Sequence, residues 1–168
     1  MAGPLPRDPI ADAQRNWEEH GWAEEARPMA AITAIMRTQQ ILLARIETVL
    51  RPFGLTFARF ELLALLSFAR GGALPMNKAS ALLQVHPTSV TNAVDRLATA
   101  GLVVRSPHPS DGRTTLVELT PEGRTLAKNA TAALNSEVFA RSGFGEDDVT
   151  QLIRILGDFR RNAGDFEG

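Results

Sequence analysis

Apolar residues recur at helical spacing through most of the chain and alternate in one short part of it. Ile10, Ala13 and Trp17 share a face over residues 9–20, with Asp8 placed to cap that helix, Pro9 at its first position and Gly21 to stop it. A loop is expected through Pro28. Apolar positions 29, 32, 35/36, 42/43, 46 and 49/50 then give a long helix that Pro52 and Gly54 end. Thr56 can cap the next, whose apolar residues run from Phe57 to Phe68 before Gly71-Gly72 breaks it. A short helix over about 77–84 turns Ala79, Leu82 and Leu83 inward. After Val85-His86, Pro87 opens another helix that runs to about Ala100 and stops at Gly101.

The period then changes to two. Residues 102–106 and 114–120 read as strands, with Thr115, Val117 and Leu119 on one face. Residues 106–113 join them as a loop too long for a tight turn, which should project. Thr120, Pro121 and Glu122 provide a cap, a first-position proline and a first-turn acid for a helix through about Arg141. Glu146, Asp147 and Asp148 suit the positive end of a last helix with a stripe of Val149, Leu152, Ile153, Leu156 and Phe159. Two short helices across a tight turn, followed by a two-stranded hairpin, make a winged helix-turn-helix. The fold class is mainly α with a small β-hairpin wing.

Composition narrows the chemistry. The 168 residues are 44% hydrophobic, enough for a core, and include no cysteine, so disulfides, thiol catalysis and cysteine-ligated zinc are excluded. No signal peptide or membrane span is evident, and a soluble cytoplasmic protein is expected. The net charge of −1 is unevenly spread: residues 1–50 carry −2, residues 51–128 carry +4 and residues 129–168 carry −3. A basic middle between acidic ends suits a polyanion, though it also suits a solvated surface. His20, His86 and His108 form no metal-ligand spacing, no glycine-rich phosphate loop follows a strand, and no serine has an evident base. Neither catalysis nor a metal or cofactor site is expected.

The helix from Pro87 carries the strongest functional signal. Val90, Ala93, Val94, Leu97 and Ala98 face inward. Thr88, Ser89, Thr91, Asn92, Asp95, Arg96 and Thr99 are left outward. The first turns of that outer face are small and polar, which suits entry into a DNA major groove, where hydroxyl and amide groups reach base edges. In the wing, Arg113 on a projecting loop could enter a narrow minor groove, and Asp111 could hold its guanidinium as a forked pair.

The run Val94-Asp95-Arg96-Leu97, Gly101-Leu102-Val103, Asp111-Gly112-Arg113-Thr114 and Leu119-Thr120-Pro121-Glu122-Gly123 resembles the MarR family of bacterial transcriptional regulators. The likeness spans roughly residues 29–162, with its specific part in 78–124. It implies a homodimer on a palindromic operator in double-stranded DNA, released by a small anionic or aromatic effector that binds between dimer helices and winged lobe. On that pattern residues 1–54 hold an N-terminal extension and the first dimerisation helix. Residues 55–120 form the DNA-binding lobe, and residues 121–168 return to the dimer, all in one unit. The resemblance makes Arg113 the minor-groove residue and Asp111 its brace. It places Thr88, Ser89, Thr91 and Asn92 at the base edges, Arg96 on the backbone, and Pro87 among the DNA-contacting residues.

Two features depart from the pattern. His86 stands where Ser or Asp would cap the recognition helix better, and that helix is short of Arg and Lys. The extra N-terminal helix with Trp17, followed by Trp22, is similar to that of a subgroup responsive to urate and related aromatic anions. That similarity makes Trp17, Arg59 and Glu61 candidate effector contacts, although Glu61 stands where the subgroup has Asp and Trp17 also reads as a packing anchor. The competing function is a winged-helix protein-interaction module that does not bind DNA.

Overall fold

A computed structural model describes residues 4–83, 87–108 and 111–167, with the side chains of Pro87 and of residues 111–113 outside the description. Seven helices and three strands follow in order: α1 (Pro9–Glu19), α2 (Ala23–Leu50), α3 (Phe57–Phe68), β1 (Ala73–Pro75), α4 (Met76–Leu83), α5 (Pro87–Thr99), β2 (Val103–His108), β3 (Asp111–Leu119), α6 (Pro121–Leu134) and α7 (Glu146–Asn162). The mainly helical fold with its small wing is as the periodicity predicts. The helix starts are set by the expected side chains. Asp8 accepts the Ile10 N–H at 2.9 Å, Thr56 accepts that of Arg59 at 3.4 Å, and Thr120 accepts that of Gly123 at 3.0 Å.

Five details differ from the sequence expectation. On α4 only Ala79 is buried, and Leu82, expected inward, is exposed. No loop runs to Pro28: α2 begins at Ala23, and Pro28 lies inside it. Pro28 sits near the helix start and is exposed, so it forfeits one bond to the Glu24 carbonyl in a 28-residue helix that tolerates the loss. The wing ladder runs further than expected, with β2 reaching His108 and β3 beginning at Asp111. Their backbones pair across an irregularity between Pro107 and His108, so the eight-residue loop is largely strand. Pro107, His108 and Gly112 hide this, because pairing there depends on the backbone and not on strand-favouring side chains. A third strand, β1, adds to the free edge of β3, giving the order β1-β3-β2 with Leu74 opposite Val117. Finally, α6 ends at Leu134 and passes into a single π-helical turn, Asn135–Phe139.

One core unites the lobe with two of the long helices. Phe60, Leu62, Leu63 and Leu66 of α3, Val90, Val94 and Leu97 of α5, and Val103, Val117 and Leu119 of the sheet are buried together with Ile46 and Leu50 of α2 and Ala127, Ala130 and Leu134 of α6. The inner faces of α2 and α6 are therefore covered by their own lobe. What remains uncovered is the N-terminal half of α2, with Ile32, Ile35 and Met36 exposed, and the stripe of α7, where Ile153 is 70% and Phe159 71% exposed. No residue of α7 is buried. Among the described residues, no helix is long and apolar enough to cross a membrane.

Candidate nucleic-acid interface

The candidate recognition helix, α5, divides as its sequence predicts. Val90, Ala93, Val94 and Leu97 are buried, and Thr88, Ser89, Thr91, Asn92 and Arg96 are exposed on the opposite face. The side chains of Ser89, Asn92 and Arg96 make no hydrogen bond or ion pair among the described residues, so their polar groups are open to an external partner. His86 and the side chains of Pro87, Asp111 and Arg113 lie outside the described residues, and the pairing of Asp111 with Arg113 is left as the resemblance implies it. The backbone of β3 starts at Asp111, opposite His108, which puts residues 111–113 at the far end of the wing.

Two joints hold α5 and the wing in one frame. Asp95 on α5 pairs with Arg105 on β2 at 2.7 Å, an exposed ion pair that sequence reasoning missed. Its partners come from different elements, and only the fold brings them together. It contributes little to stability but ties the outer face of the helix to the wing. The second joint is a helix end. The Gly101 N–H bonds the Ala98 carbonyl at 3.0 Å and the Leu102 N–H bonds that of Leu97 at 2.9 Å, closing α5 with Gly101 at φ +71°. The Thr120 hydroxyl then donates to the Gly101 carbonyl at 2.8 Å, and the Thr120 N–H donates to Leu102 at 3.2 Å. The cap of α6 thereby grips the end of α5.

The suggested effector residues are not joined. The Trp17 ring lies 5.6 Å from Trp22, which is stacked on His20 at 6.0 Å, and α1 packs along α2. Arg59 turns back on its own helix start, donating to the Thr56 hydroxyl at 3.1 Å and the Gly54 carbonyl at 3.2 Å. Glu61 is half-buried, and burial raises its carboxyl above the usual carboxylate range. No hydrogen bond, ion pair or ring contact connects the three. A cleft of about 560 Å³ lies elsewhere, between α2, the start of α3 and α7, lined by Ile35, Leu42, Leu43, Phe57, Phe144 and Leu156. Thr38 and Gln39 are its polar residues, and it holds no Lys or Arg. The described residues hold no cluster of His, Asp and Glu able to bind a metal.

A two-helix reader with a sheet-backed wing defines a winged helix-turn-helix protein. A family model for MarR regulators matches residues 53–114. Sco5413, a MarR family transcriptional regulator from Streptomyces coelicolor, is 46% identical in sequence and superimposes with a TM-score of 0.76, covering 84% of this chain and 99% of that one. The regulator PecS of Dickeya dadantii is 25% identical, over 88% of this chain and 90% of its own length. The transcriptional repressor CouR, solved on a 23-mer DNA duplex, is 26% identical with a TM-score of 0.69, covering 75% of this chain and 89% of that one. The chain belongs to the MarR family and, like these relatives, is a transcriptional regulator.

Proposed function

We propose that the chain acts in the cytoplasm as a homodimeric repressor, each winged lobe reading half of a palindromic operator in double-stranded DNA. The observation that carries this reading is the outer face of α5, where Thr88, Ser89, Thr91 and Asn92 are exposed side by side on a helix whose inner face is packed into the core. Small hydroxyl and amide side chains let the helix sink into a major groove and reach base edges. Arg113 enters the neighbouring minor groove with Asp111 as its brace, and Arg96 takes a phosphate. Residues 55–120 serve as the reading lobe, while residues 1–54 and 121–168 supply the dimer helices. The uncovered stripes of α2 and α7 support the dimer, because a two-fold pairing removes both from water.

The effector site is the cleft beside Phe57. Its lining suits an uncharged aromatic or apolar ligand better than an anion, which would need a cation there. CouR has been solved with p-coumaroyl-CoA, a ligand with an aromatic acyl end and a phosphate-bearing carrier; only a group like the acyl end matches the lining of this cleft. A ligand in this cleft touches both α7 and the start of α3. It would release DNA to the extent that it binds one lobe separation better than the other.

Selection from a random duplex library, followed by titration at several salt concentrations, tests the reading. The expected result is a palindromic consensus whose log affinity falls linearly with log salt. Absence of any enriched sequence at low salt would instead support a protein-interaction module.

A further inference from the structure

The direction of α7 has to be set by something other than its own packing. None of its residues is buried, and it meets α2 mainly across the open cleft. The last buried residue before it is Val138, in the π-turn, and Ala140–Gly145 lead on with Gly143 at φ +88°. That turn disturbs the helical ladder. The Ala140 N–H reaches back to the Asn135 carbonyl at 2.9 Å, and the Arg141 N–H goes to Val138 at 3.2 Å. The Glu137 carbonyl thus loses the donor four residues on that a regular helix would give it.

Arg45, from the far side of the chain on α2, fills this gap. Its guanidinium donates to the carbonyls of Glu137 at 3.3 Å and Ser142 at 3.4 Å, and also to that of Arg141. A cation is well placed there, because the negative end of the α6 dipole and its orphan carbonyls meet at that point. The planar fork reaches three oxygens at once, which a lysine ammonium cannot do in the same geometry. Two of the three, Arg141 and Ser142, lie beyond Val138, where no buried side chain holds the chain.

We infer that Arg45 is a positioning residue: its three-carbonyl clamp fixes the direction in which α7 leaves the lobe, and so the separation of the two recognition helices in the dimer. The second half of this inference rests on the dimer reading; the first half does not. Half-site spacing on DNA is a geometric readout of that separation, since each added base pair turns one half-site by about 35° against the other.

Because the chain has no cysteine, spin labels can be placed cleanly on Glu47→Cys in α2 and Gln151→Cys in α7, both exposed positions. Electron–electron distance measurement on doubly labelled chains diluted in unlabelled protein reads how far α7 stands from α2 within one protomer. One narrow distance is expected with Arg45, a broader and shifted distribution in Arg45→Met, and an intermediate one in Arg45→Lys. In parallel, a palindrome selected with the unaltered protein is rebuilt with spacings one base pair apart. Arg45→Met should weaken the preference for the best spacing by about tenfold while leaving affinity for a single half-site unchanged. Unchanged distances in Arg45→Met overturn the inference, as does a uniform loss of affinity with the spacing preference kept. If the unaltered protein shows no spacing preference and sediments as a monomer, the dimer reading falls, and the distance measurement still decides the role of Arg45. Should Arg45→Met fail to fold, Arg45→Lys carries both comparisons.

Discussion

Gly123, in the first turn of α6, lies against the backbone of Leu102 so closely that a Cβ would overlap the Leu102 carbonyl oxygen and press on its carbonyl carbon. The obstacle is main chain, held by the Thr120 N–H, and it cannot swing aside. This contact explains why the sequence reads Leu-Thr-Pro-Glu-Gly here: Thr120 caps the helix, and glycine lets it dock on the end of α5. Gly123→Ala should therefore cost about 1–3 kcal/mol of stability by overpacking. Denaturant titration checks this. Since the docking point is the end of the recognition helix, DNA affinity should fall as well, and a variant of unchanged stability would contradict the close approach.

Base reading and backbone contact differ in their mutational signatures. Asn92 is exposed and without a partner among the described residues, so Asn92→Ala should leave stability intact and reduce discrimination between the selected operator and single-base variants. Arg113→Ala should cost about 1–3 kcal/mol per half-site. Competition titrations with matched and mutated duplexes separate the two. A uniform loss in Asn92→Ala would assign that side chain to the backbone, and unchanged affinity in a folded Arg113→Ala would remove the minor-groove role.

The apolar stripe of α7 makes a third prediction. Ile153 and Phe159 face water in the single chain, so replacing either with Asp should not disturb the lobe's own fold. In a dimer each substitution buries two carboxylates in an apolar seam, at a cost no rearrangement of a surface helix recovers. Sedimentation should show Ile153→Asp shifted to monomer with its thermal transition at lower temperature, and operator binding should fall to single half-site affinity. A dimer that persists in Ile153→Asp would place the interface elsewhere.

The parts of this molecule legible in sequence are those where one element's side chains decide the outcome. The two faces of α5, the caps at Asp8, Thr56 and Thr120 and the stripe of α7 all follow from spacing within a single helix. The rest depends on contacts between distant segments. Strand β1 is three residues ending in proline, too short to announce itself, and exists because β3 offers it an edge. The pair Asp95–Arg105, the clamp of Arg45 on carbonyls more than ninety residues away and the cleft between α2 and α7 are likewise products of packing. Arg59, which the subgroup resemblance offers as an effector contact, here bonds Thr56 and Gly54, and that local pairing too is set by the fold around its helix start.

Glu61 gives a prediction in pH. It sits half-buried on α3, and the loss of water around its carboxyl raises its pKa in the folded chain above 4.5, its ordinary value. An acid whose folded pKa is raised binds its proton more tightly in the native state than when unfolded. The charged form therefore weakens the fold, and the contribution of Glu61 to stability falls as pH rises from its ordinary pKa through the raised one. Glu61→Gln keeps the shape and removes the charge. Measured by denaturant titration, it should be more stable than the unaltered protein at pH 7. The difference should shrink as pH falls through the carboxylate range, where Glu61 regains its proton. An advantage for Glu61→Gln that does not change with pH would mean that desolvation is not its origin, and a loss of stability at pH 7 would mean that the carboxylate has a partner in solution.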